Sequence, residues 1–548
     1  MDGDANKAPR KTAKNLQEHI RALDEAGLLI RVDKPINKDT EMHPLVRWQF
    51  RGGFRPEDRK AWLFTNVIDS KGKHYDMPVL IGAVGASSRV YEVGLGVSVA
   101  ESHDTWRRAL ESPTPPRVVT NAACQEIIIE GAALDEPGKG LDGLPVPIAT
   151  PGWDNAPYLS CVGFLTKDPD SGVQNLGTYR AQIKAPRRMG MNTSTQLRTG
   201  GYEHWLKYKA RGQRMPAAYI IGGPPAIAYT GIWKVPEDVS ELAVAGTLLG
   251  APIDVVKART VDLYVPAEAE IVIEGYVDTD YLEPEGPYGE SHGHVNTQEY
   301  NGIMEVTCIT YRRGAVMMSY LSQVHPNETT EIRAIVHEQG YLNHLRRGMG
   351  LKGVVQVRTH RPLTGNRKIV FVVVKREMPR TEVWRALYGI ANQQRASGKI
   401  VIAVNEDIDP DSMDAVMWAI AFRATPHKDI EILKHKDPGH GPDSGVEDED
   451  SGLLIDATLK QDLPPVSLPT KPHMDRAKEI WEKELGLPPI LTPEAPWFGY
   501  SLGNWPEALQ REAERAVAGD YWENGRISAQ RRRNDVAMNS EVEISDDS

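Results

Sequence analysis

The densest run of side chains able to do chemistry is Glu283-Pro284-Glu285-Gly286-Pro287-Tyr288-Gly289-Glu290-Ser291-His292-Gly293-His294. Two prolines and three glycines exclude a regular helix, so Glu285 and Glu290 are expected on a constrained loop set by turn chemistry. A rigid loop of this kind can present catalytic acids. The plainer reading is a solvated acidic turn. His292 and His294 could face one side of an extended segment, but no Cys or carboxylate pattern accompanies them, which argues against zinc.

A second cluster is Asn175-Leu176-Gly177-Thr178-Tyr179-Arg180, followed by Arg187, Arg188 and Arg198. An arginine at the end of a short strand can clamp a carboxylate through two parallel N–H groups, and several near Gly and Thr can meet a phosphate. The competing reading is a solvated basic strand edge. A third, Ile221-Gly222-Gly223-Pro224-Pro225-Ala226, reads as a strand ending in a turn.

These clusters need a large scaffold. The chain has 548 residues, enough for about three or four domains. Hydrophobic residues make up 40% and charged residues 25%, which is ordinary globular usage. The net charge of -11 argues against a surface built for nucleic acid, and part of it sits in acidic stretches at Glu447 to Asp450 and Glu541 to Asp547. Cys124, Cys161 and Cys308 form no CxxC, so neither a disulfide framework nor a thiolate zinc site is expected. The apolar runs are far shorter than the ~18 residues of a membrane span. With no signal-like start, the reading is a cytoplasmic protein with no membrane partner.

Leu16, Ile20 and Leu23 recur at helical spacing, Gly27 supplies a C-terminal cap, and Leu28 to Val32 reads as a strand. Gly94-Leu95-Gly96 lacks the third glycine and preceding strand of a dinucleotide turn. Between about residues 120 and 320, short β-rich stretches at Glu126 to Ile129, Ala217 to Ile221, Asp262 to Val265 and Ile271 to Ile273 predict a barrel or sandwich. Beyond Thr330 a helix is expected over Ile332 to Arg346, a strand over Ile369 to Val374, a helix over Thr381 to Gln394 and a strand over Ile400 to Val404. That order is a βαβ unit with a parallel sheet. Another helix is expected over Asp411 to Arg423. The Trp-bearing end, with Trp481, Trp497, Trp505 and Trp522, suggests short amphipathic helices packing on the body or on a second subunit.

Taken together, Asn175 to Arg180, Gly222 to Ala226, Val239-Ser240-Glu241 and Glu285 to Glu290 stand in the order and approximate spacing of the UbiD family of decarboxylases, which the chain resembles from its first helix through Gly452 to Thr458. The last ~80 residues match poorly. The resemblance implies a fold of α/β and β parts: an N-terminal α/β region (1–120), a central split-β-barrel flavin-binding domain (121–325) and a C-terminal α/β domain with a parallel sheet (326–465); the residue pattern beyond it reads as a helical extension with a frayed acidic tail (466–548). It implies a reversible nonoxidative decarboxylase using prenylated FMN, a divalent metal with manganese preferred, and potassium.

Carried over residue by residue, the resemblance makes Arg180, Glu285 and Glu290 the catalytic set. Thr178, Tyr179, Arg180, Asn192, Thr193, Ser194, Arg198 and Thr199 become flavin contacts, and Asn175 and Glu241 metal ligands. A third ligand, often His in relatives, falls near Thr195 to Arg198, where this chain has no histidine and Gln196 is the choice. The implied partners are an aromatic, heteroaromatic or conjugated alkenyl carboxylic acid, carbon dioxide, a flavin prenyltransferase as cofactor supplier, and further copies of the chain as a dimer or hexamer. A coenzyme A thioester is an alternative substrate, with Arg346-Arg347 or Arg531-Arg532-Arg533 available to its phosphates. Competing readings are a flavin oxidoreductase, which would not need a proton-delivering Arg-Glu-Glu set, and a noncatalytic cofactor-binding subunit of a carboxylase complex.

Overall fold

The computed structural model describes residues 12–544 apart from 194–198, 234, 237, 362–366, 395–396, 438–448, 462, 468, 489–504, 539, 541 and 543. Ser194, Gln196, Arg198, Trp497, half of the acidic stretch 447–450 and most of 541–547 therefore lie outside the described residues.

The opening helix, Leu16–Glu25, begins where the Asn15 side chain accepts the Glu18 N–H and buries Leu16, Ile20 and Leu23. Gly27, at φ 68°, turns the chain into the strand Leu29–Val32, which pairs in parallel with Ala61–Phe64. Gly94 and Leu95 end the helix Ser88–Leu95 and Gly96 caps it at φ 77°, so this glycine pair is a helix stop.

The central region is a ten-stranded sheet in which every pairing is antiparallel. Its axis is Met215–Ile221 against Ile271–Val277, and Ile271–Val277 against the long strand Glu299–Tyr311. The expected β stretches are there with shifted ends, as Ile127–Glu130, Met215–Ile221, Tyr264–Pro266 and Ile271–Val277, the third of these pairing outside the main sheet. One core runs from Leu16 to Val336, joining the N-terminal elements to this sheet.

In the C-terminal region, Ile369–Val374, Ile400–Asn405 and Asp450–Asp456 pair in parallel, flanked by antiparallel edges at Val354–Thr359 and Ile430–Lys436. The sheet is thus mixed, where a parallel one was expected. Val370, Val372 and Val374 pack with Ala386, Leu387 and Ile390 of the helix Arg380–Gln393, whereas Phe371 and Val373 pack with Val416 and Ala419 of the helix Met413–Arg423. Both faces are covered, which explains the unbroken apolar run at 369–374.

The helix expected from Ile332 starts earlier and spans Glu328–Asn343, because the Asn327 side chain caps Thr330 N–H. Farther on, the helices Lys471–Glu479, Glu507–Val517 and Tyr521–Gln530 leave Trp481, Trp505 and Trp522 exposed. Among the described residues, no helix is long and apolar enough to cross a membrane.

Candidate active site

The Gly/Pro stretch folds into two short strands. Glu283–Glu285 pairs with the long strand, placing Glu285 opposite Glu299, and Tyr288–Gly289 pairs with Val295–Asn296. The solvated-turn reading fails for both acids: the Glu285 side chain is 1% exposed and that of Glu290 14%. Arg180, 9% exposed, follows the strand Gln174–Gly177 and precedes Ala181–Ala185.

These three side chains converge. Arg180 Nε and Nη2 donate to Glu285 Oε1 and Oε2 at 2.9 and 2.8 Å, a bidentate pair, while Nη1 reaches Glu290 Oε2. The guanidinium lies 4.8 Å from the centre of the Tyr288 ring, close enough for a cation–π contact. Burial works against the Arg180 cation, but Glu290 and Glu285 together outweigh it and hold the guanidinium above its ordinary range.

Two amides, Asn192 Nδ2 at 3.2 Å and Asn301 Nδ2 at 3.3 Å, also donate to Glu285 Oε2. Glu285 is thereby held as a fixed acceptor, whereas Glu290 has one oxygen on Arg180 and the other on the Ser291 N–H. Asn301 carried no signal in the sequence as a member of this group, and Tyr288 lay in the quoted run without a role of its own. Asn301 enters through strand register, opposite Glu283. Arg333, on the helix Glu328–Asn343, is pulled down to about 10 by burial, with Arg367 acting the same way and Glu290 opposing.

Asn175 and Glu241 come together along the same strand. Glu241 opens the helix Glu241–Leu249, is 4% exposed, and accepts the Leu176 N–H at 2.8 Å. Burial pushes its carboxyl up to about 7, although the hydrogen bond from Leu176 opposes the rise. The neighbouring Asn175 has its Nδ2 buried with no hydrogen-bond partner among the described residues, and its side chain lies where a Cβ on Gly200 would come within 2.1 Å. A buried carboxylate with no compensating cation among the described residues, beside an amide whose oxygen and nitrogen can exchange places by rotation, is a donor set suited to a hard metal ion. Among the described residues no group of three or more His, Cys, Asp or Glu could hold a metal, so the fit rests on this carboxylate and this amide.

The expected flavin residues that are described lie around the same point. Thr178 Oγ1 donates to Val162 O at 2.6 Å, Tyr179 OH accepts the Gly201 N–H at 3.1 Å, and Thr199 Oγ1 reaches Thr193 O. Asn192 N–H donates to Arg180 O at 3.2 Å, tying this segment to the acid cluster. The start of the helix Gly200–Ala210 is closely approached: a Cβ on Gly201 would lie 2.7 Å from the Tyr179 ring. Hydroxyls, amides and a helix N-terminus are a set that fits a phosphorylated flavin.

Three models of 3-octaprenyl-4-hydroxybenzoate carboxy-lyase match the chain: its N-terminal domain at 20–110, its Rift-related domain at 117–324 and its C-terminal domain at 331–457. Among solved structures, the UbiD-class enzyme HmfF from Pelotomaculum thermopropionicum, in complex with FMN, superposes with a TM-score of 0.73 at 27% identity. The match covers 84% of this chain and 99% of that one. An evolved dimeric form of the same enzyme, in complex with prFMN, gives 0.71 at 27% identity over 85% of this chain and 98% of that one. Vanillic acid decarboxylase from Sedimentibacter hydroxybenzoicus, in its closed form, shares the fold with a TM-score of 0.73 at 24% identity, covering 86% of this chain and 99% of that one. Three matched domains in family order, around one buried Arg-Glu-Glu cluster, place the chain in the UbiD family of carboxy-lyases.

Proposed function

We propose that this decarboxylase acts reversibly and without net oxidation on an aromatic, heteroaromatic or conjugated alkenyl carboxylic acid, with prenylated FMN as its cofactor. The observation that carries the reading is one buried guanidinium shared by two carboxylates, Glu285 fully enclosed and Glu290 partly exposed. Losing carbon dioxide from an sp² carbon leaves an electron pair that no ordinary side chain can delocalise, and a bound prenylated flavin supplies that electron sink.

The chain's own residues do the rest. Arg180 holds Glu285 through two bonds and orients the acid substrate, while Asn192 and Asn301 keep Glu285 in place. Glu290, less enclosed than Glu285, carries the proton on its carboxyl oxygen and delivers it to the carbon that has lost its carboxylate. Arg333 adds a second cation within electrostatic reach of Glu290, which suits an anionic substrate.

Thr178, Tyr179, Arg180, Asn192, Thr193 and Thr199, with Ser194 and Arg198, would hold the flavin. Asn175 and Glu241, with Gln196, would hold a divalent ion, manganese by preference, and potassium would sit nearby at the phosphate. The division into segments 1–120, 121–325, 326–465 and 466–548 belongs to the same reading. So does assembly into a homo-oligomer through faces such as the exposed Trp481, Trp505 and Trp522.

The test is expression with and without a flavin prenyltransferase, followed by carbon dioxide release from a panel of aryl acids and their coenzyme A thioesters. Activity should appear only in the prenylated preparation. Equal activity in both would overturn the cofactor reading, and release only from thioesters would move the substrate class.

A further inference from the structure

The residue that presents the proton-delivering acid is held by a segment far from it in sequence. Asp154 bridges two backbone amides: Oδ1 accepts the Gly289 N–H at 2.7 Å and Oδ2 accepts the Thr150 N–H at 2.8 Å. The second bond closes a turn in which Trp153 and Asp154 N–H also return to Thr150 O, so the carboxylate is fixed to its own loop before it reaches across. The first bond ends on the residue immediately before Glu290.

Neighbouring contacts act in the same direction. Asn155 N–H donates to Pro287 O at 3.3 Å, and the Tyr158 ring lies 4.4 Å from that of Tyr288. Asn155 Oδ1 accepts from Gln182 Nε2 at 2.7 Å, two residues beyond Arg180. The approach is close enough to demand glycine at 289, where a Cβ would meet Thr150 Oγ1 at 2.2 Å. The Glu290 backbone itself is held by its N–H to His294 O at 2.9 Å and by Gly293 N–H to Glu290 O at 3.1 Å. Asp154 therefore adds a charge-assisted anchor at the Gly289 amide to the hairpin's own pairing of Gly289 with Val295.

We propose that Asp154 is a positioning residue for the decarboxylation, setting where Glu290 stands relative to Arg180 by pinning the amide of Gly289. The inference rests on the proposed role of Glu290 as proton donor. An acid displaced by about 1 Å loses up to about 100-fold in rate without any change in its chemistry, so the effect belongs in kcat. Aspartate suits the position because one carboxylate accepts from two N–H groups at once. An asparagine keeps one acceptor and turns an NH₂ toward the other donor.

The test uses holoenzyme made with a flavin prenyltransferase. Asp154→Ala should lower kcat about 10- to 100-fold with KM and flavin occupancy within about twofold of the parent, and Asp154→Asn should fall between the two. In a Glu290→Gln background, Asp154→Ala should add less than about twofold, because a residue acting through Glu290 has nothing further to lose. Full additivity in that background, or an Asp154→Ala kcat within twofold of the parent, overturns the proposal. Should Asp154→Ala not fold, the same double comparison is made with Asp154→Asn. A Glu290→Gln variant of parental activity would instead sink the reading of Glu290, which separates the two failures.

Discussion

Arg180 meets Glu285 through both nitrogens of one guanidinium edge, at 2.9 and 2.8 Å, across 105 positions of sequence. Its remaining nitrogen reaches Glu290, so any displacement of Arg180 is felt by both acids at once. The two carboxylates also differ in enclosure: Glu285 is 1% exposed and takes four N–H donors from three side chains, whereas Glu290 is 14% exposed.

Arg180→Lys keeps the charge but removes the fork, and a single ammonium cannot donate in parallel to Glu285 while reaching Glu290. Carbon dioxide release should fall by at least about 100-fold. The check is steady-state decarboxylation alongside the flavin absorbance, and turnover within a few-fold of the parent would mean that the pair is only structural.

Glu290→Gln retains the shape of a neutral glutamic acid without a transferable proton. Turnover should drop by about 10² to 10⁴ while flavin stays bound, and solvent deuterium exchange into a product analogue should drop in parallel. Exchange at the parental rate would show that the proton travels by another route.

Glu241→Ala removes the buried carboxylate beside Asn175. Divalent metal and flavin should be lost together, because an ion held by Glu241 and Asn175 would also offset the charge of the cofactor's phosphate. Elemental analysis and flavin absorbance of the same sample measure this, and normal metal content would disprove the assignment.

Glu328 gives the protein a pH dependence unrelated to catalysis. It is fully enclosed and accepts N–H bonds from Gly82, Val84 and Leu321 at 3.1, 3.1 and 3.3 Å. Burial nevertheless pushes its carboxyl from 4.5 to about 7. The folded state therefore binds a proton that the unfolded chain has released, and the associated stability is lost as pH rises from about 4.5 toward about 7. Thermal midpoints between pH 4 and 8 should show this downward contribution in the parent and lack it in Glu328→Gln; identical slopes would count against it.

Apolar periodicity was enough to place the elements that depend on near neighbours. Leu16, Ile20 and Leu23 mark one helical face, and Gly27 marks its end. The run Ile369–Val374 marks a strand enclosed on both sides, because each such signal spans only a few residues and answers to local geometry. The motif matches pointed to Arg180, Glu285, Glu290, Asn175 and Glu241 as candidates, without placing any of them in space.

Tertiary structure decided that Arg180 and Glu290, 110 positions apart, touch. It also decided that Asn301 enters through strand register and that Asp154 pins Gly289. It overturned the solvated reading of the Gly/Pro stretch, because pairing with Glu299–Tyr311 and the packing of Tyr158 on Tyr288 take it out of water. None of these contacts has a period in the sequence. A hydrogen bond between segments more than a hundred residues apart imposes no spacing on either, and only the closed core brings its two ends together.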